Sequence, residues 1–242
     1  MKRTYHKWYS PNLEREMELL VFGNEGTKVF FFPPRMGRFY DYENWDIVAM
    51  LSDKINNGYI QLFCLDSIDL ESFYNVACHP RKKMFRHAQY EKYIIEEVLS
   101  FASSINKSSH LIVAGCSLGA YHAVNIAMRH PDLFCKVVGM SGRYDLTESK
   151  GCFEDLLDGY HDSEVYANMP NQYLQNINDP VVLSQLNRLD IVLVIGKEDV
   201  FFSSNCLLSE ILNSKGISHC LYEWSEEAHR SHYWREMVKI YI

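Results

Sequence analysis

The 242-residue chain predicts an α/β fold, a mostly parallel central sheet with helices on both faces. Three observations carry this. Short apolar runs rich in Val, Ile and Phe recur along the chain, and amphipathic stretches of helical period separate them. One of those runs, Leu111-Ile112-Val113-Ala114, leads through Gly115-Cys116-Ser117-Leu118-Gly119 straight into a helix-like stretch. Strands covered on both faces read as continuous apolar runs because neither face meets water. Alternation with helical segments then implies parallel pairing, since parallel strands need a long crossover to return to the same end of the sheet.

Taken in order, the first predicted strands are Met17 to Phe22 and Lys28 to Phe32. The turn-forming Gly23-Asn24-Glu25-Gly26 joins them, which suggests an antiparallel N-terminal edge hairpin. A strand over Tyr59 to Leu65 follows. From Tyr90 to Ile105 the residues Ile94, Val98, Phe101, Ala102 and Ile105 recur three or four apart, the spacing of one helical face. After the strand His110 to Ala114, the helix opened by Ser117 should end near His130-Pro131, because proline disfavours helical geometry in the residue before it. Strands Lys136 to Met140 and Ile191 to Ile195 come next. Leu207, Leu208, Ile211 and Leu212 stripe a helix from Ser204 to Lys215, with Gly216 as its stop. A strand over Ser218 to Trp224 and a helix opened by His232, running through Trp234 and Val238, complete the chain.

Two segments, 66–86 and 144–180, lack a clear period. Both follow strands at their C-terminal ends, where open α/β sheets build their sites, and long irregular segments are usually functional. They are expected to wall a substrate pocket, with a purely structural excursion the other reading of the first. Residues 1–242 suit one domain with a substantial core.

Composition narrows the function. Hydrophobic residues at 47% and charged residues at 23% are ordinary for a water-soluble globular protein, and no apolar stretch is long enough to span a bilayer. The basic start, Met1-Lys2-Arg3-Thr4-Tyr5-His6-Lys7-Trp8, is followed by neither an apolar h-region nor a cleavage site, so a signal peptide is not expected. A net charge of −7 argues against nonspecific nucleic-acid binding, which needs a basic surface. The seven cysteines are odd in number and form no C-x-x-C pair. They read as reduced, packed thiols of a cytoplasmic protein. A homo-oligomer is compatible with all of this.

The strand–Gly115-Cys116-Ser117-Leu118-Gly119–helix arrangement is that of a nucleophile elbow. A serine hydroxyl is a weak nucleophile, so it has to be presented on a tight turn, open to a base and to backbone N–H donors. Glycines two positions either side permit that turn and the close approach of strand and helix. The partners of such a serine follow in the order Ser, Asp or Glu, His, each past a strand's C-terminal end. After Ile191 to Ile195 comes Gly196-Lys197-Glu198-Asp199, which nominates Asp199 as the group that orients a histidine, with Glu198 and Asp145 as rivals. After the last strand, His229 is favoured as the base over His232, whose place at the head of the final helix suits a packed or solvated ring.

An oxyanion formed by attack on an acyl carbon needs aimed donors. The Leu118 N–H, next after the nucleophile, is one. The other should come from Pro33-Pro34-Arg35-Met36-Gly37-Arg38. Prolines have no N–H, which leaves Arg35, Met36 or Gly37. Arg35, Arg38 and Arg143 flank these loops and are candidate contacts for an anionic substrate group, or else members of structural salt bridges. Cys116 reads as a packed thiol, Tyr121 and His122 as packing or pocket wall, and Arg81-Lys82-Lys83 with Arg86 as a solvated face.

These residues resemble the putative esterase family of α/β hydrolases, which includes esterase D-like enzymes, feruloyl esterases and the mycolyltransferases of the antigen 85 group. The carriers are Gly115 to Gly119, His130-Pro131-Asp132-Leu133-Phe134 through Met140-Ser141-Gly142, the turn Gly196 to Asp199, and His229 followed by Trp234. The resemblance spans most of the chain and implies the α/β-hydrolase fold. Matching Tyr42-Glu43-Asn44-Trp45-Asp46 to the stretch after the mycolyltransferases' oxyanion loop assigns the second donor to Met36. The chain departs from its relatives in having Pro34-Arg35 where His-Gly or Asp-Gly is common. It also has Glu227-Ala228 where many have Gly-Gly, which is tolerable if neither position requires positive φ.

The expected activity is serine esterase chemistry on a small or medium-sized ester through an acyl-enzyme on Ser117, needing no metal or organic cofactor. An acyltransferase with the same residues, an amidase or peptidase, and a noncatalytic protein retaining the fold are the alternatives.

Overall fold

The computed structural model describes residues 1–242. One eight-stranded sheet runs β1 (Arg3–Ser10), β2 (Arg15–Phe22), β3 (Thr27–Phe32), β4 (Ile60–Leu65), β5 (Leu111–Cys116), β6 (Lys136–Met140), β7 (Asp190–Gly196) and β8 (Cys220–Trp224) along the chain. In space the order is β1-β2-β4-β3-β5-β6-β7-β8. β1 pairs antiparallel with β2, and β2 antiparallel with β4; every later pairing is parallel. The antiparallel edge hairpin is therefore β1 with β2. It is not the predicted pairing across Gly23 to Gly26, because β4 lies between β2 and β3.

Successive side chains point to opposite faces of the sheet, so each central strand feeds two apolar layers. Phe30, Val113 and Leu193 join one layer with Val98, Val124 and Leu208. Phe31, Ala114 and Val194 join the other with Val48, Met237 and Val238. β4 and β5 are buried throughout, as their unbroken apolar runs require. The predicted helix from Tyr90 starts earlier, at Pro80–Lys92, and passes through a π-helical turn at Tyr93–Val98 into Leu99–Ile105. Proline stands at its first position, where no N–H is needed, and the ring of His79 accepts from the Arg81 N–H. Ile94, Val98 and Ala102 are buried along one face, while Ile105, the last residue of the helix, is 43% exposed.

The irregular segments contain more structure than expected. Residues 66–86 include the start of that long helix, and 144–180 carry short helices at Ser163–Tyr166 and Pro170–Tyr173. Nor is Arg81 to Arg86 a solvated face throughout. Lys83 is buried and donates to the Leu156 carbonyl and Asp158, and Arg86 binds the Leu13 carbonyl and Glu71. Cys64 and Cys116 are packed, whereas Cys152 and Cys220 are exposed.

His87, on the long helix, is buried against Phe73, Tyr121 and His122. Burial, with the neighbouring His122, pulls its pKa down to about 3. The unfolded chain takes up this proton near pH 6.5, and the folded one only near pH 3. Stability is thus full above pH 6.5 and falls as pH drops below it, by at most about 1.4 kcal/mol per pH unit. His87→Gln should flatten the stability profile from pH 6.5 to 4.5, above the range in which most carboxylates titrate. Urea unfolding of both proteins across that window measures it, and equal slopes would refute the assignment.

Candidate active site

The C-terminal ends of β5, β6, β7 and β8 converge on one place. β5 ends at Cys116, and the helix Leu118–Arg129 begins two residues later. The turn between them puts Ser117 at φ 57 and ψ −119, a conformation L-residues rarely adopt and which persists only when its surroundings enforce it. The surroundings here are close-packed backbone. A Cβ on Gly115 would stand 2.2 Å from the Gly119 carbonyl oxygen, and one on Gly119 would stand 2.2 Å from that of Phe32. Glycine at both positions lets strand, helix and the loop after β3 touch.

Beyond β7, Asp199 is buried, and its Oδ1 accepts from the Phe201 N–H at 2.9 Å. Its Oδ2 lies 2.8 Å from His229 Nδ1, and His229 Nε2 lies 3.0 Å from Ser117 Oγ. One tautomer serves both contacts, with Nδ1–H donating to the carboxylate and Nε2 accepting from the hydroxyl. A hydroxyl so placed can pass its proton to the ring as it attacks, while the buried carboxylate stabilises the imidazolium that results.

The rivals lie elsewhere. Glu198 is exposed. Asp145 is committed to Thr147 and Gln172. His232 is exposed against Tyr233 on the helix Ser231–Tyr241.

The loop bearing His229 is held by contacts the sequence did not announce. Ser141, just past β6 at φ 54, donates its hydroxyl to the Ala228 carbonyl and accepts from the Trp234 indole N–H. Gly196 has no room for a side chain, since a Cβ would meet the Glu226 and Glu227 carbonyl oxygens at 2.3 and 2.2 Å. Ala228 itself has φ 53 and Glu226 φ 90, so the condition that would make Glu227-Ala228 an easy replacement for Gly-Gly is not met. The left-handed alanine costs about 1–2 kcal/mol relative to an ordinary conformation, and the Ser141 bond helps to hold it.

Leu118 N–H is free of any intramolecular acceptor. In the loop after β3, Gly37 N–H bonds the Pro34 carbonyl, closing a turn. Met36, at φ 54, gives its N–H to Asp69 Oδ2 at 2.7 Å. That corrects the expectation for Met36, whose donor is spent on a buried carboxylate. Arg35 N–H has no intramolecular acceptor, and Arg35 lines the same cavity as Ser117 and Leu118.

That cavity has a volume of about 230 Å³, and its walls include Trp45, Tyr74, Phe153, Phe201 and Trp234 besides Ser117 and His229. The two irregular segments contribute Tyr74 and Phe153. The three candidate arginines separate. Arg38 is ion-paired with Asp66 at 2.7 Å and Glu18 at 2.9 Å and is not in the cavity wall. Its expected substrate contact is corrected to a structural one. Arg35 and Arg143 both line the cavity. Burial lowers the Arg143 pKa from its ordinary value, with Tyr74 and Asp145 acting the other way. Tyr121 and His122 sit behind the site in an aromatic cluster, where Tyr121 donates to the Asn168 carbonyl. The buried Cys116 thiol is pushed up by desolvation, which disfavours the reactive thiolate.

No helix is long and apolar enough to cross a membrane. Among solved structures, a ferulic acid esterase superposes with a TM-score of 0.77 at 17% identity, covering 98% of this chain and 95% of that one. An S-formylglutathione hydrolase from Agrobacterium tumefaciens gives 0.74 at 17%, covering 98% and 91%. The substrate-bound fluorophosphonate-binding serine hydrolase F of Staphylococcus aureus gives 0.73 at 16%, covering 98% and 95%. At these identities the likeness is one of fold. No curated protein sequence matches the chain significantly. The family model described as Putative esterase matches residues 42–236, most of the chain and all of the Ser117, Asp199 and His229 loops. The chain belongs to this family of α/β hydrolases and is a carboxylic ester hydrolase.

Proposed function

We propose that the protein is a serine carboxylesterase that cleaves small or medium-sized esters through an acyl-enzyme on Ser117. The observation that carries this is the continuous hydrogen-bonded line from Asp199 through His229 to a serine hydroxyl at a cavity wall. His229 takes the Ser117 proton as Oγ attacks the ester carbonyl, and the C–O bond to the alcohol breaks as His229 returns that proton to the leaving oxygen. Water, deprotonated by the same ring, then attacks the acyl-enzyme and releases the acid and free Ser117. Asp199 keeps the ring oriented and stabilises its charged form.

The Leu118 and Arg35 N–H groups receive the oxyanion in both steps. Each is worth about 2.7–4 kcal/mol if it behaves as measured oxyanion donors do. Arg35 takes this role in place of Met36, since the Met36 and Gly37 donors are already engaged.

A fluorophosphonate probe should label the protein at Ser117, and Ser117→Ala should abolish labelling. A chain-length series of nitrophenyl esters should show turnover that peaks at short or medium acyl groups, which a cavity of about 230 Å³ accommodates. Absence of labelling in folded protein, together with no ester turnover, would refute the reading.

A further inference from the structure

The cavity beside Ser117 is lined by two guanidinium groups and no acidic side chain. Arg143 is only 5% exposed, and it has no carboxylate partner. It donates instead to four backbone carbonyls, from Nε to Asp145 and from Nη2 to Leu146, Glu148 and Glu154. Those bonds fix the guanidinium and pin the segment after β6, yet carbonyl dipoles leave its net charge in place. Nη1 has no protein acceptor. The adjacent Asp145 carboxylate is turned to Thr147 and Gln172. Arg35, on the opposite loop, makes no ion pair either and lies against Tyr74 and Phe153, its Cζ 5.8 and 5.7 Å from the ring centres. An adjoining cavity, to which Arg35 and Arg143 also contribute, holds Glu154, Asp155 and Asp158, but none of these forms an ion pair with either arginine: Lys83 pairs with Asp158, and the Asp155 carboxylate accepts from the Leu157 and Gly159 N–H groups.

The charge of the buried Arg143, with no ion-paired carboxylate, is poorly screened and costly unless an anion comes to it, and the exposed Arg35 can turn toward the same anion. Its position relative to the chemistry is defined. Phe153 and Phe201 flank the His229 ring at 6.1 and 5.7 Å, and the guanidiniums of Arg35 and Arg143 lie one aromatic ring further out, the latter 5.7 Å from Phe201. A substrate whose carbonyl sits at Ser117 shares one cavity with both arginines.

We propose that Arg35 and Arg143 form an anion-binding subsite, and that the preferred substrates are esters carrying a carboxylate. This rests on the reading of Ser117 as the nucleophile. The carboxylate can belong to the acyl group or to the alcohol, and the guanidinium pair recognises it in the same way.

Two pairs of esters test it. 4-Nitrophenyl hydrogen glutarate against its methyl ester places the charge on the acyl side; 4-acetoxyphenylacetate against its methyl ester places it on the alcohol side. The readout is the ratio of kcat/KM for the charged ester over the neutral one. In at least one pair this ratio should fall about tenfold or more in Arg35→Gln and recover in part in Arg35→Lys, and the responding pair identifies the side. Arg35 is exposed and makes no ion pair, so its variants should fold, whereas Arg143 variants would lose four buried carbonyl bonds. Independently, Ser117→Ala protein should bind the free acids glutarate or 4-hydroxyphenylacetate in calorimetry, and the added Arg35→Gln change should remove that binding. Neutral esters turned over with ratios unchanged by Arg35→Gln, and no acid bound, would overturn the subsite and leave the esterase standing. No ester turned over, with acid binding that depends on Arg35, would overturn the esterase and leave the subsite.

Discussion

Ser117→Ala and His229→Ala should each lower kcat for any good ester by about 10⁵- to 10⁶-fold, and the double variant should be little worse than either. The reason is geometric. The hydroxyl is useful only with an acceptor at 3.0 Å for its proton, and the ring is useful only with that hydroxyl in front of it. Either deletion leaves the free Leu118 N–H and the aromatic cavity, so activity should stop short of the uncatalysed rate by the contribution of binding and oxyanion stabilisation, roughly 10³–10⁴. His232→Ala is the contrasting variant. Its ring is exposed and packed at a tilt against Tyr233, and it makes no contact with Ser117, so kcat should change less than about twofold. Steady-state kinetics on one chromogenic ester compares all four proteins. Multiplicative loss in the double variant would show that Ser117 and His229 do not act as a unit, and a severe loss in His232→Ala would overturn the choice of His229 as the base.

The order Ser117, Asp199, His229 can be read from the sequence because each residue follows an apolar run at a short distance, and parallel strands deliver such positions to one end of the sheet. What escapes is set by residues far apart in the chain. The resemblance assigns the second donor to Met36. Its N–H goes to Asp69, 33 residues on and inside a segment with no periodicity, and nothing in Pro33 to Arg38 announces the φ of 54 that turns it there. Arg38 and Arg143 look alike in sequence. Only the placement of Asp66 and Glu18 beside one, and of four carbonyls beside the other, tells them apart. β1 lies along an exposed edge with alternating burial, and Arg3 to Ser10 shows no apolar run to announce it. Ser141 could have been suspected from the family-like Met140-Ser141-Gly142. Its bond to Ala228 is visible only once β6 and the His229 loop adjoin.

Gly119→Ala should damage both stability and chemistry, although it adds one methyl group. The methyl carbon would stand 2.2 Å from the Phe32 carbonyl oxygen and 2.6 Å from that of Pro33, and both contacts are backbone that cannot rotate aside. Either the helix Leu118–Arg129 or the loop after β3 has to move, and each is anchored in the core through Val124 on one side and Phe31 and Tyr42 on the other. Overpacking of this kind costs about 3 kcal/mol or more, or roughly 6–12 °C in Tm for a chain of this length. The same movement parts the Leu118 N–H from the Arg35 N–H, because Gly119 is the contact between the two segments that carry them. With one donor misplaced, kcat should fall about 10²-fold in the fraction that stays folded. Gly159→Ala is the control. An added Cβ there meets nothing within 4 Å, so its cost is confined to the strain of a left-handed alanine at φ 75, and kcat should hold. Thermal unfolding and active-site-titrated kinetics on both variants separate the effects. If Gly119→Ala melts with the wild type or keeps its kcat, the elbow and the oxyanion loop are not coupled through this contact.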